Sequence, residues 1–552
     1  MKKDAFRPII ILLLGGFLFF SAAFIHQNGD LFFQIKKQLT IFSDVYKEVA
    51  TQYVDEVGPE ELMKRSINSM LESLDPYTVF IDEGEQQQME ILSSGTYGGI
   101  GIDAGFRGDQ IVIIAPLDGY PAHRAGLRAG DVIEEINGVE VRGFSPEEVQ
   151  QLTIGDIGTT VTLKIRRPGI EQSIEFELER ERIEVKNISY AGLLGDRDQY
   201  GYIHLSRFGQ QSAEEVRSEL ISMTENSNDF EGLVLDLRNN PGGLLNEAVE
   251  LIDKFIEPGV TVVETRGRLD VHNNAFVTEE PAIFDDLPLV IIMNNGSASA
   301  SEVVAGALQD LDRAVVIGES SFGKGLVQTV RPLSYNTSLK VTISKYFTPS
   351  GRSIQSVEYS GIRERDGIAV ADSLRRAFKT KNGRVVFDGR GIEPDVTFDG
   401  DTESLLQLSL QRNNQYFFFI NDLLNQPDFD KDSYAADRLF EKFARYLIEQ
   451  GFTFETPVDN HLNALQENIE NFSQTASAEN NIDELKALLR DYKVSQIYDN
   501  QEIIEKNLKV EWISQTAGEN ERNRAMLEID EQVLRSIEIL NDSSTYLSIL
   551  RP

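Results

Sequence analysis

The feature that most constrains the fold is an alternation of short apolar runs with helical stretches between residues 181 and 399. Four of the apolar runs, at 202–205, 233–237, 288–293 and 314–317, have the length of β-strands. A helical stretch opens at Ser212-x-x-Glu215, a pattern that predicts a capping box. Strands that alternate with helices in this way predict an α/β core.

The 552 residues are too many for one ordinary core and indicate about three or four domains. Glycine-cut, strand-like runs fill roughly 95–167, and Asn137-Gly138 predicts a tight hairpin there. Beyond residue 400 helical spacing dominates and strand signals vanish. We therefore expect a multidomain α/β protein with a helical region at 31–83, a β-rich module at 84–180, the α/β core at 181–399 and an acidic helical domain at 400–552.

The N-terminus predicts a membrane segment within residues 1–30. Lys2, Lys3 and Arg7 precede an uncharged, mostly apolar run at 8–25. Eighteen residues at 1.5 Å per residue give roughly 27 Å, close to the hydrocarbon thickness of about 30 Å. We expect an uncleaved inner-membrane anchor in a bacterial cell envelope, with the rest of the chain in the periplasm. A cleaved signal peptide ending near residues 21–23 is the alternative.

Composition excludes several classes of function. A net charge of −36 argues against binding to nucleic acid. With no cysteine, the chain has no thiolate nucleophile and no cysteine-ligated metal site, and it carries no HExxH zinc motif. We expect neither a cofactor nor a metal.

The most informative stretch runs from Val290 to Glu302, a buried strand that turns through small residues into a helix. Ser297, Ser299 and Ser301 all fall at that turn. There, a serine can meet substrate while the first helical N–H groups face developing negative charge. A serine-rich helix cap without reactivity is the alternative.

A serine nucleophile needs a base, and the five histidines lie in no motif beside a partner acid. Lysine can also act as the base for a serine when its amine is neutral. Lys324 stands between Gly323 and Gly325, which let the backbone approach other groups closely. A solvent-exposed lysine is the alternative.

The same lysine also resembles part of a P-loop, because Gly318-x4-Gly323-Lys324 follows a predicted strand. A P-loop needs Ser or Thr after the lysine to bind Mg²⁺, and this chain has Gly325 there. The glycine at this position argues against an ATPase.

The run Asn295-Gly-Ser-Ala-Ser-Ala-Ser-Glu302, followed by Gly323-Lys-Gly-x-x-Gln328, resembles the active-site pair of the carboxy-terminal processing (tail-specific) peptidases. The resemblance spans roughly residues 40–400 and implies a crotonase-like protease core. It implies Ser299 as nucleophile, Lys324 as base 25 residues later (324 − 299), and Gln328 as support for the lysine.

The same resemblance implies an oxyanion hole made by backbone N–H groups. One donor would come from Gly242 or Gly243, in the run Asp236-Leu-Arg-Asn-Asn-Pro-Gly-Gly243, and the other from Ala300. Glycine in a turn after a buried strand can aim such donors without side-chain obstruction.

A second resemblance, to PDZ domains, lies in the β-rich module. It rests on Tyr97-Gly-Gly-Ile-Gly-Ile102 and on Gly130-Asp-Val-Ile-x-x-Ile-Asn-Gly-Val139. A glycine-rich loop can hold a carboxylate while an extended peptide adds as a strand, so the implied ligand is a free, apolar C-terminus. The residues predicted to bind it are Tyr97, Gly98, Gly99, Ile100, Gly101, Ile102, Val149 and Leu152.

Three questions stay open at the level of sequence: peptide gating, the alternative function and the partner of the C-terminal helices. Many family members carry Arg-Gly after the PDZ helix where this chain has Ile154-Gly155, which puts peptide-gated activation in doubt. The alternative to a tail-recognising serine endopeptidase is a PDZ-type scaffold with an inactive protease core. The C-terminal helices are a candidate contact for an adaptor or a second copy of the chain.

Overall fold

The computed structural model describes residues 31–85, 95–359, 368–398, 404–426, 436–469 and 475–551. The chain divides into two compact units. The smaller comprises Met1–Ile81, Val330–Val341 and Tyr359–Gly367, and the larger comprises Asp82–Thr329, Thr342–Glu358 and Ile368–Pro552.

The smaller unit begins with two helices, at 31–52 and Pro59–Glu72. Pro59 lies in the first turn of its helix, where proline is favoured because it needs no N–H partner there. The strand Val79–Ile81 pairs antiparallel with residues 338–340. Among the described residues, no helix combines the length and hydropathy of a transmembrane span, and the predicted membrane run at 8–25 lies outside them.

A β-rich module begins the larger unit. The predicted hairpin forms at Asn137-Gly138, where both residues have positive φ (53° and 77°) and Ile136 pairs with Val139. The module's last strand, Glu181–Glu184, pairs with Thr96–Gly99, so the pairing continues past residue 180. Its other strands are Ile102–Arg107, Gln110–Pro116, Val132–Ile136, Val139–Glu140, Thr160–Arg166 and Ile174–Glu179, and its helices are Pro121–Ala125 and Pro146–Thr153.

The α/β core follows the β-rich module, and its prediction is confirmed. Its sheet has the strand order Ile188–Leu194, Tyr200–Leu205, Gly232–Asp236, Leu289–Met293, Val315–Gly318, Val396–Thr397. The first pair is antiparallel and the other pairs are parallel. The carboxyl ends of the parallel strands therefore meet at one edge, where ligand sites of such sheets form. The helices of this core are Ser212–Asn226, Leu245–Asp253 and Ala300–Asp310.

The predicted capping box at Ser212 is wrong, although the helix does begin there. Gln211 is the N-cap, in a left-handed conformation, and its side chain makes no cap. A carboxylate from the next helix substitutes for it: Glu247 accepts from the N–H groups of Gln211 (2.8 Å) and Ala213 (3.1 Å). A distant side chain thus fills the place that the local pattern assigned to Glu215.

Further strands flank the core. Thr261–Gly267 pairs antiparallel with Asn274–Val277 and with residues 344–347. The remaining strands are Leu326–Pro332, Ser338–Phe347, Val357–Glu358, Ile368–Ala369, Ala377–Lys379 and Val385–Phe387.

All described elements after residue 404 are helices, which confirms a helical C-terminal domain. Phe417 and Phe418 pack against Val112 of the β-rich module, and Leu540 packs against Val290 of the α/β sheet. The domain therefore contacts both other parts of the larger unit. Its helices are Leu405–Arg412, Gln415–Leu424, Ala436–Glu449, Pro457–Ile469, Thr475–Asp499, Gln501–Ala517, Glu519–Leu527, Glu531–Asn541 and Ser543–Leu550.

Candidate active site

Ser299 lies where the loop after the strand Leu289–Met293 enters the helix Ala300–Asp310. Its φ of 56° and ψ of −111° are rarely adopted by residues other than glycine, so the backbone is strained here. The residue is only 7% exposed. A strained serine at a strand-to-helix turn, at the start of a helix, has the setting of an acyl-transfer nucleophile.

The two neighbouring serines of the motif have structural partners. Ser297 donates to the carbonyl of Leu237 (2.8 Å), and Ser301 donates to that of Asn240 (2.9 Å). Both serines are fully buried. They tie the Ser299 loop to the turn that follows the adjacent strand.

Glu302 is a residue of this site that the sequence analysis did not single out. Its fully buried carboxylate accepts from the N–H groups of Ser299 (2.8 Å) and Lys324 (2.9 Å) on one oxygen. The other oxygen accepts from the Gly323 N–H (2.7 Å) and the Ser321 hydroxyl (2.5 Å). Burial raises the pKa of Glu302, while these hydrogen bonds oppose the rise. The pattern Ser299-x-x-Glu302, a helix-start signature, is the sequence signal for it.

The loop around Lys324 is held on both sides of the lysine, whose side chain is half-buried. The Gly325 N–H donates to the side chain of Gln355 (2.8 Å), and the Gly323 carbonyl accepts from the Ser356 N–H (3.0 Å). A Cβ on Gly323 would lie 2.3 Å from Ser356, so glycine is required there by close approach, as predicted.

Two more side chains belong to this region. Gln328, on the strand Leu326–Pro332, donates to the Thr342 hydroxyl (3.2 Å). Tyr346 is buried, and its hydroxyl meets the side chain of Ser299. Burial raises the pKa of Tyr346 to about 12. Sequence reasoning missed Tyr346.

The turn after the strand Gly232–Asp236 places Gly242 against Ser299. A Cβ on Gly242 would lie 2.8 Å from both the Ser299 Cβ and the Ala300 nitrogen, so only glycine fits. The Gly242 N–H donates to the Asn240 side chain (2.9 Å). For the N–H groups of Gly243 and Ala300, no acceptor is found among the described residues. Gly243 is exposed, whereas Gly242 is buried.

The β-rich module contains a cavity of about 140 Å³ between the glycine-rich segment and the helix Pro146–Thr153. Of the residues predicted to bind a peptide, it is lined by Tyr97, Gly99, Ile100, Gly101, Ile102 and Val149. Gly98 and Leu152 do not line it. The Gly98 carbonyl accepts from the Gly155 N–H (3.0 Å), and Leu152 packs into the module's core. The other residues that line it, which were not among the predicted binding residues, are Ala104, Phe106, Pro146, Gln150, Thr153 and Ile154.

Arg180 supports the far end of this cavity. It is 7% exposed and donates to the carbonyls of Leu152 (2.8 Å) and Thr153 (3.0 Å), the last residues of the cavity helix. A cation at a helix C-terminus is favoured by the helix dipole. Gly155, which bonds to Gly98, lies against the guanidinium: a Cβ there would be 3.0 Å from its Nε.

Four family models match the chain. The model described as peptidase family S41 covers residues 199–364, and a PDZ domain model covers 112–167. A model for the probable PDZ-protease C-terminal helical domain covers 406–540, and one for the activating protease CtpB N-terminal domain covers 21–85.

Relatives match over most of their length. A carboxy-terminal-processing protease of Bartonella bacilliformis is 37% identical over 357 residues, which are 64% of this chain and 81% of that protein. A probable CtpA-like serine protease of Staphylococcus aureus is 32% identical over 440 residues, 78% of this chain and 85% of that protein. Among solved structures, a photosystem II D1 C-terminal processing protease is 26% identical with a TM-score of 0.36, over 66% of this chain and 94% of that one.

Proposed function

Since the chain belongs to peptidase family S41 and is a carboxy-terminal processing serine protease, we propose that Ser299 is its nucleophile and Lys324 its general base. One observation carries the proposal. The N–H groups of Ser299 and Lys324 donate to the same oxygen of the buried Glu302, at 2.8 and 2.9 Å. Residues 25 positions apart in the sequence are thereby held together through one fixed group.

In this mechanism the neutral Lys324 amine takes the proton of the Ser299 hydroxyl as its oxygen attacks the scissile carbonyl carbon. The carbonyl oxygen becomes an oxyanion. When the C–N bond breaks, the lysine ammonium gives its proton to the leaving amine and an acyl-serine remains. Water then attacks this ester, again with Lys324 as base, and releases the new C-terminus and the free serine. By the family resemblance, Gln328 orients the lysine.

For the oxyanion hole we infer the N–H groups of Gly243 and Ala300. Ala300 directly follows Ser299, and Gly243 directly follows Gly242, which lies against Ser299. Neither N–H group has an acceptor among the described residues. The Gly242 N–H is already bonded to Asn240. Backbone donors fixed in advance at the developing charge are worth on the order of 10²-fold to 10³-fold each in rate.

The substrates we propose are proteins with a free, apolar C-terminus. The cavity between the glycine-rich segment and the helix Pro146–Thr153 is lined mainly by apolar side chains, including Phe106, Val149 and Ile154. Its glycine-rich wall offers backbone N–H groups, which suit a carboxylate and an added peptide strand.

The decisive comparison is hydrolysis of an unfolded protein with an apolar tail by the parent, Ser299→Ala and Lys324→Ala proteins. We expect turnover only with the parent. Lys345→Ala is the matched control, because Lys345 is an exposed lysine on the nearby strand Ser338–Phe347. Cleavage by Ser299→Ala would remove the nucleophile assignment. A parent that binds tails but never cleaves them would favour the scaffold alternative.

We also propose that residues 8–25 anchor the chain in the inner membrane, with the protease in the periplasm. The support is the basic flank followed by an uncharged run long enough to span. Alkaline phosphatase fused after residue 30 should be active in cells, and the product should stay in membranes after carbonate extraction. An inactive fusion would contradict export, and a fully extractable product would favour cleavage of the segment.

A further inference from the structure

Arg238 lies between two carboxylates that come from different domains. Its Nε contacts both oxygens of Asp236 (3.0 and 2.9 Å), and its Nη2 lies 2.7 Å from Asp530. The Arg238 side chain is 20% exposed, that of Asp236 is 2% and that of Asp530 is 23%. Because the three groups are largely shielded from water, their interaction is screened less than a surface ion pair. Burial alone would lower the pKa of Arg238, yet the carboxylates raise it.

The backbone of Arg238 begins the turn that leads to the candidate oxyanion donors. The next residue, Asn239, has a φ of 58° and exchanges two hydrogen bonds with Asn294 (2.9 and 3.0 Å). The Asn240 carbonyl accepts from the Ala298 N–H (2.9 Å), next to Ser299. Arg238 is therefore connected to Gly243 through a turn whose residues are hydrogen-bonded to the loop that carries Ser299.

Asp530 is held firmly from the other side. It is the N-cap of the helix Glu531–Asn541, and its Oδ1 accepts from the N–H groups of Gln532 (3.0 Å) and Val533 (3.1 Å). Val533 is fully buried against the α/β sheet. The second oxygen, Oδ2, is the one that reaches Arg238. One carboxylate thus fixes a helix of the C-terminal domain and also supplies a counter-charge to the α/β core.

We propose that Asp530 is a positioning residue for the proteolytic site, and that the C-terminal helical domain thereby completes the support of the turn at 236–243. The proposal rests on the proposed function, since the turn matters only if its N–H groups bind an oxyanion. Asp530 touches no reacting atom. It acts by holding Arg238, which in turn holds the strand end that precedes Gly243.

The test uses the full chain with Asp530→Asn, and Asp530→Ser as a second variant. Asn and Ser are good N-caps, so both variants keep the helix start and remove the charge. Asp542→Asn is the matched control, because Asp542 caps the following helix through the Ser544 N–H (3.0 Å) and has no ion pair among the described residues. All proteins are assayed at a temperature at which thermal melting shows them folded.

Two readouts separate positioning from mere stability. One is kcat against KM for an unfolded substrate. The other is the affinity for a peptide aldehyde relative to the matched peptide alcohol, because only the aldehyde forms a tetrahedral adduct with Ser299 and needs the oxyanion donors. We expect kcat and the aldehyde-to-alcohol ratio to fall roughly 10-fold to 100-fold with Asp530→Asn and Asp530→Ser, as for other small displacements of catalytic groups. KM should change little, and Asp542→Asn should match the parent.

An unchanged kcat and an unchanged ratio in the two Asp530 variants would overturn the proposal. So would an equal loss in Asp542→Asn, which would show a general effect of the C-terminal helices. The parallel Ser299→Ala assay keeps the two levels apart. If that variant still cleaves, the proposed function fails. If it is inactive while both Asp530 variants behave like the parent, only the role of Asp530 fails.

Discussion

The protease core and the PDZ domain each contain a buried charged side chain that binds backbone groups of neighbouring loops, and the two charges have opposite sign. In the core, the Glu302 carboxylate accepts from N–H groups on either side of the active site, at Ser299 and Lys324. In the PDZ domain, the Arg180 guanidinium donates to carbonyls at the end of the cavity helix. Neither forms an ion pair within the described residues. Both bind mainly backbone groups, and each also bonds to one hydroxyl, that of Ser321 for Glu302 and that of Thr159 for Arg180.

The difference in sign suits the different tasks. Glu302 accepts hydrogen bonds from N–H groups and so can fix the two loops that carry the proposed nucleophile and base. Arg180 gathers carbonyls and places positive charge behind Gly155 and Gly98, at the segment predicted to meet a peptide carboxylate. A charge-assisted hydrogen bond is about twice as strong as a neutral one, so each group is an efficient way to hold a loop. The comparison predicts that replacing Glu302 lowers turnover, whereas replacing Arg180 lowers the affinity for substrate tails.

The largest effect is expected for Glu302→Gln. The amide has nearly the same shape, but its nitrogen cannot accept a hydrogen bond, so N–H groups now accepted by one carboxylate oxygen would face another donor. We expect kcat/KM to fall by about 100-fold or more, mostly in kcat, because leaving a buried donor unsatisfied costs roughly 1–3 kcal/mol.

Glu247→Gln is the matched control for that change. Glu247 also receives backbone N–H groups at a helix start of the same core, through Gln211 and Ala213. We expect it to lower the melting temperature with kcat close to the parent value. If Glu302→Gln kept more than half of the parent kcat, the carboxylate would not be what aligns the two loops.

The next effect concerns the substrate's own tail. Amidating its C-terminus removes the charge and one acceptor oxygen, and charge-assisted hydrogen bonds are worth roughly 1.5–3 kcal/mol each. We expect kcat/KM for the amide to fall about tenfold or more, chiefly through KM. Equal cleavage of the free-acid and amidated substrates by the full chain would mean that the PDZ cavity does not bind the terminal carboxylate.

Sequence reasoning succeeds where the determinants are local. The hairpin at Asn137-Gly138 depends on two adjacent residues, both of which have positive φ. The glycine next to Lys324 predicts a close approach, but the sequence does not show that the neighbour is Ser356, 33 positions later (356 − 323). The cavity helix shows how a small error in phase matters. Its lining residues Pro146, Val149, Gln150 and Thr153 share one helical face, whereas Leu152 points to the core.

Sequence reasoning fails where the partner of a side chain lies far away in the sequence. Glu302 could be read as a helix cap, but its bonds to Gly323 and Lys324 depend on a loop more than 20 residues later. Asp530 meets Arg238 across 292 positions (530 − 238). No local pattern encodes such contacts, because they are set by how the sheet and the helices pack.

A smaller effect is expected for Arg180→Gln. The variant loses the cation behind the carboxylate segment but can still donate to one or two carbonyls of the cavity helix. We expect KM for a free-acid substrate to rise about fivefold, while KM for the amidated substrate changes less. Exposed Arg182, on the adjacent strand, provides the control variant Arg182→Gln. An unchanged ratio of acid to amide would limit Arg180 to a structural role.

The smallest effect is expected for Tyr346→Phe, in the protease core. The hydroxyl of Tyr346 hydrogen-bonds with the Ser299 side chain, so Tyr346 is a rival to Lys324 as the base for the proposed nucleophile. Burial raises the pKa of Tyr346 to about 12, and a raised phenol pKa means that the neutral form persists throughout the range in which a protein is assayed. A neutral phenol can orient the serine but takes up no proton. Removing the hydroxyl should therefore lower kcat only about two- to fivefold, as for one lost neutral hydrogen bond of roughly 0.5–1.5 kcal/mol. The pH–rate profile between pH 6 and 10 should have the same shape in both proteins. A loss approaching that of Lys324→Ala, or a basic limb that disappears with the hydroxyl, would instead make Tyr346 the base and return Lys324 to a supporting role.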